Sequence, residues 1–235
     1  MIVDESGGKK LFRPIDKKEA IDFLLPRHYS GRKPNIIYAF GIIENNEIVA
    51  VCAFGKPASN SLCEGVCGKE LSSKVIELNR LCREEYYREP LSKFVGYCLR
   101  ELKDKNLIIV SYSDTAMKHN GYIYQATNFY YTGQTEERTD KFTEGNKHSR
   151  HYKNQDNSKR KIRSAKNRYL FFAGDKRFKK QCLKELNYEI QPYPKAENQN
   201  YELGHFQEIE IIDNGEHKTV EVENNFEKNN QLKLF

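Results

Sequence analysis

The stretch Leu107-Ile108-Ile109-Val110-Ser111-Tyr112-Ser113-Asp114 opens apolar and closes on hydroxyls and a carboxylate. Its first five residues predict a short strand of a sheet buried on both faces, because no polar residue alternates with the apolar ones. Its last three would then stand at the carboxyl end of a buried strand, where α/β sheets commonly carry their sites. Upstream, Pro90 can occupy the first turn of a helix in which Leu91, Phe94, Val95, Cys98, Leu99 and Leu102 share one face. Before it, Val75 to Cys82 reads as a strand with Glu77, Asn79 and Arg80 embedded in an apolar run. Buried polar groups need partners, so this strand is expected to wall a site.

Working outward, Asp16 and Glu19 form a reciprocal capping pattern for a helix over Lys17 to Leu25, stopped by Pro26. Ile36 to Ile43 and Ile48 to Phe54 flank Asn45-Asn46, a pair that tolerates positive φ, and predict an antiparallel hairpin. Downstream come a helix over His119 to Asn128, strands over Phe129 to Thr132 and Tyr169 to Phe172, and a helix over Lys176 to Leu186. This order implies an α/β fold, a mixed central sheet flanked by helices.

The 235 residues, 38% hydrophobic, suit one domain. It is placed at residues 1–195, with a basic insert at about 138–168, followed by a flexible acidic, Asn-rich tail over 196–235. The net charge of +6 is unevenly placed. Lys147 to Lys180 holds thirteen Lys and Arg against two Asp, whereas Glu197 to Phe235 holds nine acids against three Lys. The first points to a polyanion partner and the second to a solvated extension. No apolar run is long enough to span a bilayer, and residues 1–10 lack a signal-peptide core, so a cytoplasmic protein without membrane association is expected. Six cysteines show no CxxC pair, and Cys63 with Cys67 is no more than half a metal site.

Five groups of residues carry candidate chemistry. Asp114, just past its strand, can be aimed into a crevice beside Tyr124 of the next helix, although a helix-capping role is the plainer alternative. Arg27-His28-Tyr29-Ser30-Gly31-Arg32 offers a proton carrier or metal ligands next to two phosphate-binding arginines, or simply a surface His with an aromatic neighbour. Arg83, Arg88, Ser92 and Lys93 surround a helix start that could seat a cofactor pyrophosphate, without the usual glycine-rich signature, and a solvated charged turn is the alternative. The insert presents Lys147, His148, Arg150, His151, Tyr152, Lys159, Arg160, Arg163, Lys166 and Arg168 for DNA backbone and base contacts. The end of the tail, Gln231-Leu232-Lys233-Leu234-Phe235, resembles the short peptide with which bacterial DNA enzymes dock on the sliding clamp, with Gln231, Leu232, Leu234 and Phe235 as anchors.

Taken in order, Arg27-His28-Tyr29-Ser30, Glu77-Leu78-Asn79-Arg80-Leu81, Tyr112-Ser113-Asp114 with Tyr124 ten residues on, and Lys166-Asn167-Arg168-Tyr169 resemble the Mom family of phage DNA adenine-modification proteins. The resemblance runs from about residue 15 to 195. It implies a GCN5-related N-acetyltransferase (GNAT)-like fold in which the strand Val75 to Cys82 splays from its neighbour to receive the arm of acetyl-CoA, with Leu78, Arg80, Arg83, Ser92 and Lys93 around it. It further implies transfer of a methylcarbamoyl (acetamido-type) group to the exocyclic amine of adenine in double-stranded DNA, the adenine being flipped out, as protection against host restriction. Tyr29, Asp114, Tyr124 and His28 would be catalytic, and His28, Asp114 and Tyr124 would hold a metal such as ferrous iron. The rival expectations are an N-acetyltransferase for a protein or small amine, and a non-enzymatic DNA-binding accessory protein whose Asp114 is structural.

Overall fold

The computed structural model describes residues 2–3, 9–28, 33–115, 120–142, 159–195 and 206–223. In chain order these form β1 (Ile2–Val3), β2 (Lys9–Pro14), α1 (Lys17–Leu24), β3 (Tyr38–Glu44), β4 (Glu47–Gly55), α2 (Asn60–Leu71), β5 (Val75–Arg83), α3 (Ser92–Glu101) and β6 (Leu107–Asp114). Then follow α4 (Tyr122–Ala126), β7 (Tyr130–Gln134), β8 (Arg138–Lys141), β9 (Lys159–Arg163), β10 (Lys166–Ala173), α5 (Lys176–Lys184), β11 (Phe206–Asp213) and β12 (Glu216–Glu223). Among the described residues the main sheet runs β1-β2-β3-β4-β5-β6-β10-β7, and every neighbouring pair is antiparallel except β5 and β6. The expected mixed α/β sheet is therefore present.

Local chemistry accounts for the elements. Glu19 accepts a hydrogen bond from the Asp16 backbone N–H at 2.9 Å, closing the start of α1. Asn45 and Asn46 turn the β3–β4 hairpin at φ 49° and 66°, where a short polar side chain is tolerated better than a β-branched one. Phe94, Val95, Cys98 and Leu99 of α3 pack on one sheet face together with Phe40, Phe54, Leu78, Ile109, Tyr124 and Tyr169. On the other face α1 covers Ala39, Val51 and Ala53, while α2 and α5 cover Ile108, Val110, Leu170 and Phe172. Strand alternation thus divides β6, with Ser111 and Ser113 toward the α3 side and Tyr112 and Asp114 toward the α2 side.

Three regions differ from the sequence reading. Helix α2 was not expected, because Gly65 and Gly68 interrupt its pattern and the backbone breaks at Cys67 and Gly68; burial of Cys63, Val66, Cys67 and Leu71 holds it in place. Helix α4 is confined to five residues, because Gly121 at φ 68° precedes it and Asn128 at φ 61° follows it. The third concerns the charged segments. Residues 138–168 are not one insert: β8 and β9 pair with each other, and Lys166 onward belongs to β10 in the middle of the main sheet. Nor is all of 196–235 a solvated tail. β11 and β12 form a hairpin about Asn214-Gly215, and β11 pairs with β9, making a second sheet β12-β11-β9-β8. The missed signal was the Asn-Gly pair between alternating runs in which Ile209 and Ile211 are buried.

Gly121 is required twice over, by its positive φ and by the Tyr169 ring, whose atoms would lie within 2.4–2.7 Å of an added Cβ. Gly121→Ala is expected to destabilise the fold by about 2–4 kcal/mol, read as a lower urea midpoint with unchanged slope.

Candidate active site

The parallel pair β5–β6 is short. It holds register over Val75↔Ile108, Ile76↔Ile109 and Glu77↔Val110, after which β5 continues to Arg83 and β6 to Asp114 without pairing. The cause lies on the other edge of β5. There Ala53 pairs with Arg80 and Phe54 with Leu78, so Asn79 is an extra residue, a bulge that bends the strand away from β6. Asn79 fixes the bulge by donating from Nδ2 to the Asn35 carbonyl at 2.8 Å, and Gly55 makes room, since a Cβ there would lie 1.9 Å from that same oxygen. The wedge is bridged at its apex by Ser111, whose buried Oγ donates to the Leu78 carbonyl at 3.0 Å.

Polar groups gather at this opening on the α1/α2 side. Glu77 stands on the last paired residue, and burial pushes its carboxyl pKa up against the opposing pull of Arg80 and Lys166. His28, just beyond α1, is 9% exposed; burial first, and the Arg80 charge second, press its pKa down to about 3, so it is a neutral imidazole. Burial and the Glu77 charge push the Tyr112 hydroxyl up. Asp114 accepts from Ser164 Oγ at 2.5 Å and pairs with Lys166 Nζ at 2.9 Å. Thr115 Oγ1 donates to the Ala165 carbonyl at 2.6 Å, so the turn between β9 and β10 is tied to the end of β6.

The other side of the sheet carries a second polar network. Asn167 Nδ2 donates to Ser113 Oγ at 3.3 Å, and Asn167 Oδ1 accepts from Gln134 Nε2 at 3.0 Å and Tyr131 OH at 3.3 Å. Tyr169 donates to the Asn120 carbonyl at 2.6 Å. Tyr124 lies in this half, 9% exposed, its ring 5.1 Å from that of Tyr169 and 5.3 Å from Phe129. The structure therefore brings His28 and Asp114 to one face with Glu77 and Arg80, and packs Tyr124 into the core of the opposite face.

That separation bears on the expected metal. Tyr124 and Asp114 are directed to opposite faces, Asp114 is already engaged by Lys166, and Arg80 opposes a further cation near His28. Among the described residues no group of three His, Cys, Asp or Glu could hold an ion, so His28, Asp114 and Tyr124 do not fit a ferrous centre. Cys63 and Cys67 are free buried thiols, with Cys67 Sγ beside the Cys182 carbonyl at 3.6 Å.

A cofactor arm fits better. Beyond Glu77 the β6-facing edge of β5 is open, and Asn79 Oδ1 is buried with no hydrogen-bond partner among the described residues. At the far end of β5, Arg83 donates to the Glu89 carbonyl at 3.1 Å, while Arg88 and Lys93 remain exposed near the start of α3, which no side chain caps. Lys10 and Glu89 form an ion pair, and Arg27 pairs with Glu84 at 2.7 Å, so Arg27 is held against this turn. Lys166 and Arg168 are likewise engaged inside the sheet: Arg168 donates to Thr132 Oγ1 and carbonyl at 3.0 and 2.8 Å and covers the Tyr188 ring at 3.4 Å. Tyr29, Arg32, Lys147, His148, Arg150, His151, Tyr152, Gln231, Leu232, Leu234 and Phe235 lie outside the described residues.

The model of the Mom protein family matches residues 9–195. The chain belongs to that family. A comparison with curated proteins finds no match for this Mom family chain. Among solved structures, an N-acetyltransferase from Staphylococcus aureus is similar at 13% identity and a TM-score of 0.45, over 70% of this chain and 99% of that one. A Bacillus subtilis acetyltransferase in complex with CoA is 14% identical, with a TM-score of 0.40, over 70% and 98% of the two chains. A polyamine N-acetyltransferase from Drosophila melanogaster is 12% identical, with a TM-score of 0.42, over 70% and 100%.

Glu77 and Ser111 are the residues the sequence reading did not assign a role. Glu77 had a visible signal, a carboxylate inside an apolar strand; the bulge that opens the wedge beside it had none, because a bulge depends on the partner strand. The buried neutral His28 also sets a pH dependence. Between its unfolded pKa near 6.5 and the folded value of about 3, the unfolded chain binds the extra proton, so acid removes stability progressively across that window. His28→Asn in the Mom family chain is expected to flatten the fall of Tm between pH 6.5 and 4, a slope of up to about 1.4 kcal/mol per pH unit in the parent.

Proposed function

We propose that this chain transfers an acetyl-CoA-derived, methylcarbamoyl-type group to the exocyclic amine of adenine in phage DNA. The observation that carries the reading is the β5–β6 wedge, with Glu77, Arg80, His28 and Asp114 gathered at its mouth, in a chain of the Mom family. The open edge of β5 from Leu78 to Arg80 would hold the carrier arm by its amides, and Arg88 with Lys93 at the start of α3 would meet its phosphates. When bound, acetyl-CoA supplies an acyl group activated as a thioester.

The residues of the chain supply the rest. The adenine amine is a poor nucleophile because its lone pair is drawn into the ring, so its proton must leave as the new bond forms. A carboxylate whose pKa burial has raised is the better acceptor for that proton, which favours Glu77 over the Lys166-paired Asp114. Asp114 holds the β9–β10 turn against the site through Ser164 and Lys166. DNA would meet the exposed cations of the second sheet, Arg138, Lys141, Lys159, Arg160 and Arg163. Modified adenine would then escape host restriction enzymes that read the unmodified base edge.

Expression in a bacterium followed by digestion of its DNA and mass spectrometry is expected to reveal a heavier deoxyadenosine. Glu77→Gln, nearly isosteric, is expected to lower its yield at least a hundredfold while leaving the protein folded. Unmodified DNA from cells holding soluble wild-type protein would rule the reading out. Removing Lys159 and Arg160 together is expected to weaken binding to any duplex and to reduce the slope of log affinity against log salt by about 2.

A further inference from the structure

A cleft of about 450 Å³ opens at the start of α4, between Tyr122 and Gln125 on one side and Pro192 to Lys195 on the other. Its two aromatic residues are among the most exposed large side chains described, Tyr122 at 64% and Tyr193 at 41%. Apolar ring faces presented to water call for a ligand when they converge on one cleft. These are also held in place. Tyr193 donates its hydroxyl to the Phe129 carbonyl at 2.8 Å, Pro192 and Pro194 restrict the backbone on either side, and the Gln191 N–H bonds the Tyr131 carbonyl at 2.9 Å. Such a wall loses little freedom when a flat ligand stacks on it.

The cleft is continuous with the site. Gln125 Nε2 and Tyr169 OH both donate to the Asn120 carbonyl, at 3.0 and 2.6 Å, so the cleft floor and Tyr169 share an acceptor. Tyr169 lies opposite Ser111 of β6, the residue that bridges to Leu78 at the apex of the wedge. The start of α3, the phosphate seat of the cofactor, is built from other residues entirely.

We infer that this cleft receives a nucleobase swung out of DNA, stacked on Tyr122 and Tyr193, with its edge toward the Gln125 amide and its phosphate beside Lys195. The inference rests on the DNA-adenine reading and adds the seat of the base. An extruded base forfeits its stacking in the duplex, and aromatic faces replace it without regard to sequence. Exposed Lys195 supplies the charge that a backbone phosphate requires.

The full chain is titrated with deoxyadenosine monophosphate by calorimetry or NMR, with deoxyribose 5-phosphate as the control that lacks a base. Tyr122→Ala is expected to weaken nucleotide binding about tenfold, and Tyr122→Phe, which keeps the ring, to bind as the parent does. Because Tyr122 is mostly exposed, neither change disturbs the core. Equal affinity of parent and Tyr122→Ala overturns the assignment, as does equal binding of the base-free control. Displacement of the nucleotide by CoA also overturns it, because the occupant is then the nucleotide of the cofactor. Adenine modification of host DNA by the parent is measured alongside. Modified DNA with Tyr122-independent binding removes the cleft and leaves the function; Tyr122-dependent binding with unmodified DNA removes the function and leaves a nucleobase seat.

Discussion

The rest of the site depends on the parting of β5 from β6 after three residue pairs. Parallel strands that stay paired satisfy each other's amides and leave no room between them; strands that part expose those amides and make a slot inside the sheet. Here the parting comes from a single extra residue, Asn79, anchored to Asn35 and accommodated by the absence of a side chain at Gly55. Everything with chemical potential is then arranged around the slot: Glu77 at its root, Ser111 across its apex, Arg80 and His28 along one wall and Asp114 at its lip. A side chain at Gly55 would press on the bulge itself and so on the width of the slot.

Burial and charge at the slot work against each other in an ordered way. His28 and Glu77 are both pressed by desolvation toward their neutral forms, and Arg80 reinforces that effect on His28 while opposing it on Glu77. One guanidinium thus keeps the imidazole unprotonated and the carboxyl ionisable, which is the combination a proton-accepting site requires. Asp114 has the opposite environment, with Lys166 and Ser164 both bonded to it. Two carboxylates on neighbouring strands are thereby given different tasks by their surroundings alone.

Much of this architecture was legible in the sequence. The apolar run at Leu107, the amphipathic period from Leu91 and the Asn-Asn turn are local signals, and each produced an element close to its expected place. What escaped depended on partners far along the chain. Helix α2 has two glycines and no clean period, and only its burial under β6 and β10 makes it helical. The ladder partner that gives Lys166 and Arg168 their place is Asp114 and Tyr112, more than fifty residues earlier, so a count of local charge assigned them to the insert. The same applies to the site. His28, Glu77, Arg80 and Asp114 stood out as polar residues in apolar surroundings, but whether Tyr124 joined them depended on which face of the sheet each strand presents, and it did not.

The second sheet gives the protein an unusual relation to salt. Strand β9, Lys159 to Arg163, lies against β11 with Asp213 directly opposite Lys159, and Lys218 of β12 pairs with Asp213 and Glu216. Mobile counterions on a cationic surface are released when a polyanion arrives, and their entropy drives much of non-specific association. Carboxylates that belong to the chain stay where they are and yield no such entropy. A basic strand that carries its own fixed anions is a weaker ion exchanger than its composition indicates, so its hold on a duplex is governed more by shape and less by charge.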